Sequence, residues 1–261
     1  MRKLELIDIN TTDFFQIFET FLAHTNEKAR TVAAISHQVL PRLKQRRHFL
    51  DVGCGDGAIS IPLIEYFENY LCIDLNHESL EEFRVNLKTD KIGQILQLDM
   101  NTYSPSGTAD FILFSFSMGY LGAGIADLKQ RARFRIEKFK EYYEVLNDGG
   151  AISLVGADYR GPYKKLFDYF NIPMHDELKS LHDYIGKNYK TDSYYFPIDI
   201  ITDTLDEMIL AIRLILYDDG TKYLHKVGKI LEYATRLKRE DGKFHFSYNC
   251  ELMTVYKSGG Q

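Results

Sequence analysis

The chain has 261 residues, 45% of them hydrophobic, with a net charge of −5. That apolar content supports a full core without staples, and the acidic balance removes any general pull toward nucleic acid. The 3 cysteines have no metal-like or redox spacing, the N-terminus carries acids where a secretory signal is apolar, and no apolar run reaches the ~20 residues of a membrane span.

In chain order, Phe14, Ile17, Phe18, Phe21 and Leu22 share one helical face over residues 12–23. Thr25 is placed to cap a second helix striped by Val32, Ile35, Val39 and Leu43, which Pro41 ends or kinks. Strand patterns follow at 48–52, 70–74, 94–99, 110–114 and 151–155, the last entered by a turn at Asn147-Asp148-Gly149-Gly150. Helical patterns at 58–68, 77–88 and 127–146 separate them. Such alternation predicts a three-layer doubly wound α/β fold with a mostly parallel sheet. The remainder predicts helices at 161–171, 175–187, 205–216 and 224–237, with strands at 194–201 and 243–256. A turn is expected at Asp218-Asp219-Gly220. The basic stretch Lys129, Arg131, Arg133, Arg135, Lys138 and Lys140 could grip an anionic substrate, but Glu137 and Glu141 are interleaved with it, which favours a solvated helix face. The expectation is a single domain over 1–261, with a helical cap (1–46), a cofactor-binding half (47–156) and substrate-side helices with an antiparallel sheet edge (157–261).

The chemistry concentrates in His48-Phe49-Leu50-Asp51-Val52-Gly53-Cys54-Gly55-Asp56-Gly57-Ala58. An apolar run, an acid, three glycines at alternate positions and then helical periodicity describe a strand, a tight loop and a helix start. Glycine permits positive φ and close approach of a ligand to the backbone. A helix start adds free N–H groups and partial positive charge, suited to a carboxylate or phosphate. Two ligand classes use such a loop. Gly53, Gly55 and Ala58 satisfy the dinucleotide spacing, with Asp74 as the acid about 20 positions on. Asp51 ahead of the loop, Gly57 and a second acid at Asp99 instead suit an amino acid joined to adenosine. Such a ligand needs partners for an ammonium, a diol and adenine.

From about His48 to Val155 the chain resembles the class I S-adenosylmethionine-dependent methyltransferases, in its DVGCGDG loop and both acids. The resemblance implies S-adenosyl-L-methionine as cofactor and a seven-stranded Rossmann-like sheet ending in an antiparallel strand. It implies cofactor contacts by Asp51, Gly53, Cys54, Gly55, Asp56 and Gly57, by Asp74, Leu75 and Ser79, and by Asp99, Met100, Phe114 and Ser115. Asp74 would take the ribose and Asp99 would lie near adenine. No metal site, nucleophile elbow or acid–base triad is present in the sequence, and the chemistry requires none. After the fourth strand stands Ser115-Phe116-Ser117-Met118-Gly119-Tyr120, without the Asn/Asp-Pro-Pro-Tyr of methyltransferases that act on DNA or protein glutamine.

A finer resemblance, to histamine N-methyltransferase, covers Phe18-Glu19-Thr20-Phe21-Leu22-Ala23-His24 with Glu27, the pair Leu40-Pro41, and Asn249 in the late strand. It implies substrate contacts by Glu27, Phe14, Phe116, Tyr120 and Asn249. A substrate-binding glutamine of that family has no counterpart; Phe116 or Ser117 takes its place. The expected protein is a cytoplasmic enzyme that N-methylates a small amine or imidazole-bearing metabolite, with nucleic acid and membrane not expected as partners. O-methylation of a small phenol or carboxylate, or a non-catalytic cofactor-binding regulator, stands as the alternative.

Overall fold

The computed structural model describes residues 12–172, 178–216 and 227–258, with side chains from residue 18 onward and, in the last helix, from residue 228. The element order is α1 (Thr12–His24), α2 (Glu27–Gln38), β1 (His48–Val52), α3 (Ser60–Ile64), β2 (Asn69–Asp74), α4 (His77–Asn86), β3 (Ile92–Gln97) and β4 (Ala109–Ser115). There follow α5 (Leu128–Glu144), β5 (Leu146–Ala157), α6 (Gly161–Tyr169), α7 (Lys179–Asn188), β6 (Thr191–Thr202), α8 (Leu205–Ile215), α9 (Val227–Thr235) and β7 (Phe244–Tyr256). Short 3-10 turns lie at Leu40–Arg42, where Pro41 follows the end of α2, and at Met118–Tyr120.

One seven-stranded sheet has the order β3-β2-β1-β4-β5-β7-β6. β1 pairs in parallel with β2 on one side and β4 on the other. The chain direction across the sheet therefore reverses at β1, the position that opens a crevice at the C-terminal strand ends. β5 pairs antiparallel with β7, Val155 opposite Leu252. The sheet is thus mixed, which corrects the expectation of a mostly parallel one. Alternation between strands and helices read the first five strands, and it carries no direction for a strand that arrives after four helices.

By internal contacts the chain divides into two compact units. One comprises Thr31–Ala157, His175–Phe196 and Cys250–Gln261; the other comprises Met1–Arg30, Asp158–Met174 and Pro197–Asn249. In the first, β1 and β4 are apolar nearly throughout, as strands covered on both faces must be. Phe49 stacks on Phe67 and Phe111 at 5.1 and 5.6 Å between centroids. On the other side, Val52, Ile73, Phe114, Phe139 and Tyr142 form one buried cluster. Asp110 is buried yet satisfied: it accepts the N–H groups of Arg47 (2.7 Å) and His48 (3.0 Å) and the Asn147 amide (2.7 Å).

Three sequence expectations shift locally, and a fourth is not tested. Asn147–Gly150 lies within β5, where the register with β4 breaks between Ala109 and Phe111. Thr25 stands two residues before α2, and its hydroxyl accepts the Glu27 N–H at 3.2 Å. The basic stretch is not a uniformly solvated face, since Arg135 and Lys138 are buried. Asp218-Asp219-Gly220 lies outside the described residues.

In the second unit, α8 starts with a capping box, in which Thr204 and Glu207 exchange side-chain and backbone bonds. Met208, Ile209 and Ile212 of α8 are buried in this unit, as are Phe170, Ile200, Ile230 and Ala234.

Candidate functional site

The loop after β1 is shaped by its glycines. Gly53, Gly55 and Gly57 have φ of 79°, 54° and 75°, a region that costs other residues ~1–2 kcal/mol. The N–H groups of Gly53 and Cys54 both reach the Ile73 carbonyl, at 2.8 and 3.1 Å. A Cβ on Gly53 would stand 2.4 Å from that of Ser117, whose hydroxyl donates to the Val52 carbonyl at 2.5 Å. A Cβ on Gly57 would stand 2.4 Å from the Phe83 ring. Gly55 differs: nothing lies within 4 Å of its Cβ position. The outer two glycines thus fit against protein, and the middle one faces open space. Asp56 accepts the Ala58 N–H at 3.1 Å, and Cys54 is buried.

Asp51, the fourth residue of β1, is buried, and the Ser60 hydroxyl donates to its Oδ2. Its Oδ1 has no hydrogen-bond partner among the described residues. Burial pushes this carboxyl up to about 7, partly opposed by the Ser60 hydroxyl and reinforced by the negative charge of Asp74. Asp74 ends β2 and is half-buried. Its Oδ2 accepts the Gly55 N–H and its Oδ1 the Asn76 N–H, both at 2.8 Å. Asn76 caps α4 by accepting the Ser79 N–H at 3.1 Å, while Leu75 is exposed. Asp99 lies two residues beyond β3, in a turn, and accepts both the backbone N–H and the side-chain amide of Asn101 at 2.8 Å. Met100 is half-buried, 3.0 Å from a Cβ placed on Gly53.

At the end of β4 the Phe114 side chain is fully buried, edge-on to Tyr142 at 4.9 Å. That packing leaves the backbone of Phe114 as its polar surface. The Ser115 hydroxyl is buried without a hydrogen-bond partner among the described residues. Phe116 has φ of 56°, a conformation that bulky residues rarely hold and that is found at functional sites. Tyr120 is 68% exposed.

The other substrate candidates lie in the second unit. Tyr248 OH donates to Glu27 Oε2 at 2.6 Å. Burial raises the Glu27 carboxyl above its ordinary value, with the Tyr248 hydroxyl and the Lys28 charge opposing. Asn26 is tied to Asp199 by three bonds of 2.9–3.2 Å, which pin the start of α2 to β6. The Tyr248 ring meets Tyr163 at 5.6 Å, and Tyr163 meets Tyr159 edge-on and stacks on Phe167. The unit thereby joins a carboxylate to a tyrosine-rich cluster, a pairing suited to cations. The Asn249 carbonyl accepts the Asp158 N–H at 2.7 Å. The Phe14 side chain lies outside the described residues.

These residues fit S-adenosylmethionine by three observations: the open space over Gly55, the unpartnered Asp51 Oδ1 and the unpartnered Ser115 hydroxyl. Ser60 and Asn101 escaped the sequence reading, which named Ser117 only as a possible occupant of the missing glutamine's place. Ser60 and Ser117 carry no motif, and Asn101 is visible only as the polar residue two places after Asp99. A cavity of about 420 Å³, lined by His48, Asn69, Tyr70, Tyr103 and Ala109 among others, sits at the opposite, N-terminal strand ends. Among the described residues, no helix is long and apolar enough to cross a membrane.

Residues 49–150 match the family model described as "Methyltransferase domain". No curated protein sequence matches the chain. Among solved structures it is similar to the YcgJ protein of Bacillus subtilis, with TM-score 0.55 and 14% identity over 89% of this chain and 100% of that one. It is also similar to the plantazolicin methyltransferase BpumL in complex with SAH, with TM-score 0.52 and 14% identity over 95% and 92%. A third is an S-adenosylmethionine-dependent methyltransferase from Clostridium acetobutylicum, with TM-score 0.50 and 14% identity over 95% and 98%. At such identities these structures establish a common fold. Residues 49–150 are thus similar to a methyltransferase domain, and the glycine loop with Asp51, Asp74 and Asp99 lies within that stretch.

Proposed function

We propose that the chain transfers the methyl group of S-adenosylmethionine to a nitrogen of a small amine- or imidazole-bearing metabolite. When bound, the cofactor supplies a methyl group already activated on a sulfonium. The residues must therefore bind, orient and keep out water, effects able to supply ~7–11 kcal/mol of a barrier. Gly53–Gly57 offer the backbone, Asp74 takes the ribose hydroxyls, Asp99 lies near adenine, and Asp51 takes the ammonium. Ser115 donates or accepts at the end of β4.

The observation that carries the acceptor's identity is the bond from Tyr248 to the half-buried Glu27, beside Tyr163. A methyl-accepting amine must be neutral to attack, so Glu27 holds a second, cationic or donor group and is not the obligatory base. Asn249 contributes a further contact in this reading. The similarity of Phe18–His24, Glu27 and Asn249 to histamine N-methyltransferase supports the same class of acceptor.

Transfer of labelled methyl from S-adenosylmethionine to a panel of amines, imidazoles, phenols and carboxylates tests the proposal. Label on amines or imidazoles is expected. Label confined to phenols or carboxylates would reassign the reaction to O-methylation. Tight cofactor binding with no turnover on any of them would reassign the chain to a cofactor-binding regulator.

A further inference from the structure

Three of the cations on α5 stand at spacings of four and three residues: Arg131, Arg135 and Lys138. That spacing puts them on one helical face. Each holds backbone carbonyls. Arg131 Nε donates to Ile125 O (2.9 Å), Arg135 Nε to Leu121 O (2.8 Å) and Arg135 Nη2 to Gly119 O (2.5 Å). Lys138 Nζ donates to Tyr103 O at 3.0 Å. One helix face thus grips two loops, the one after β3 that carries Asp99 and the one after β4 that carries Phe116 and Tyr120.

The two loops are also joined directly. Asn101 donates its amide to Asp99 Oδ1 at 2.8 Å and accepts the Gly122 N–H on its Oδ1 at 2.7 Å. Gly122 has φ of 70°, so its N–H is aimed by a conformation that few residues would hold. Between these anchors the loop stays open at its tip: Gly119 and Gly124 have nothing within 4 Å of a Cβ position, and Tyr120 is exposed.

We infer that Asn101 is a positioning residue that couples the cofactor acid Asp99 to the loop 117–125. A ligand on Asp99 fixes that carboxylate, Asn101 follows it, and the Gly122 N–H holds the loop in the position that presents Tyr120. Arg131 fixes the end of the loop at Ile125, and Arg135 holds the Gly119 and Leu121 carbonyls on either side of Tyr120. The inference rests on Asp99 belonging to the cofactor site.

Hydrogen exchange of the full chain with and without SAH tests it, alongside thermal melting and calorimetric SAH binding for each variant. In the unsubstituted protein, SAH should slow exchange at residues 119–123 by about fivefold or more, the weight of one hydrogen bond. Asn101→Ala should bind SAH while losing that protection. Asn101→Asp keeps an acceptor for Gly122 but puts a carboxylate against Asp99. It should protect the loop without responding to SAH. If the unsubstituted protein does not bind SAH, the cofactor reading falls and the inference with it. If SAH binds and residues 119–123 respond equally in all three proteins, the inference alone is overturned.

Discussion

Asp74 and Gly55, nineteen positions apart, are joined by a 2.8 Å hydrogen bond from the glycine N–H to the carboxylate. The bond ties the end of β2 to the middle of the loop after β1. The acid expected at a ribose therefore also organises the backbone on which the cofactor would lie. Its second oxygen holds the Asn76 N–H and so the start of α4.

Asp74→Ala should consequently weaken binding and loosen the loop together. Hydrogen bonds to a charged acceptor are worth ~1.5–3 kcal/mol each, so SAH affinity should drop by more than tenfold, and the melting temperature should fall too. Asp74→Asn keeps one acceptor oxygen and should recover part of the stability. Calorimetry and thermal melting check both. Unchanged SAH affinity in the alanine variant would remove Asp74 from the cofactor site.

Gly55→Ala and Gly57→Ala should separate binding from folding. An alanine at 57 drives its Cβ into the Phe83 ring at 2.4 Å with φ at 75°, so a loss of more than ~2 kcal/mol of stability is expected. An alanine at 55 meets nothing, so only the ~1–2 kcal/mol of its left-handed backbone is lost. It fills the space over the loop, however, and SAH binding should be abolished while the protein stays folded. Denaturant unfolding and SAH titration distinguish the pair.

The stretch from β1 to β5 was legible because its signals are local. Glycine spacing, apolar strands and acids at strand ends sit within a few residues of one another. β1 was bounded correctly at His48–Val52. β3 was set two residues late, because Asp99 was taken as the strand's last residue and instead lies in the turn beyond it. The buried cations of α5 were missed for another reason. Glu137 and Glu141 between them suggested a solvated face. The spacing of Arg131, Arg135 and Lys138 marks a single side of the helix, but their partners are carbonyls of remote loops. A carbonyl acceptor leaves no mark in the side-chain sequence. The Tyr248–Glu27 bond likewise spans 221 positions and has no local signature.

Asp51 should impose a distinctive pH dependence. Its carboxyl titrates at about 7 in the folded chain, against an ordinary value of 3.8. Between those values the folded protein keeps a proton that the unfolded chain has lost. Its contribution to stability therefore declines as pH rises from about 4 to 7, then levels off. Asp51→Asn should remove this component, so the stability of the variant relative to the parent should climb across that window. A cationic ligand group at the unpartnered Oδ1 would favour the ionised form. S-adenosylmethionine binding at about pH 6 should then release a proton from the parent protein and none from the variant. Calorimetry in buffers of different ionisation enthalpy measures that release. Equal release from both proteins would take the ammonium away from Asp51.

Glu27 and Tyr248 offer the sharpest test of acceptor recognition. Tyr248→Phe removes the hydroxyl that donates at 2.6 Å and leaves the ring against Tyr163. Glu27→Gln keeps the shape of the side chain and removes its charge. If Glu27 holds a cationic group of the acceptor, the glutamine variant should raise KM for a cationic acceptor by about tenfold or more, the scale of a charge-assisted bond. SAH affinity should stay nearly unchanged. Tyr248→Phe should act more weakly, because it leaves the carboxylate in place with one partner fewer. Burial holds the Glu27 carboxyl above its ordinary value, so activity on a cationic acceptor should fall as pH drops into the acid range and the carboxylate takes up a proton. In the glutamine variant the part of that limb set by Glu27 should be absent, leaving only the fall caused by protonation of the acceptor's own methyl-accepting nitrogen. Steady-state kinetics against pH, run with the acceptor the labelled-methyl panel identifies, decides the matter. A glutamine variant with unchanged KM and the same acid limb would leave Glu27 as the first residue of α2, placed there for the helix dipole alone.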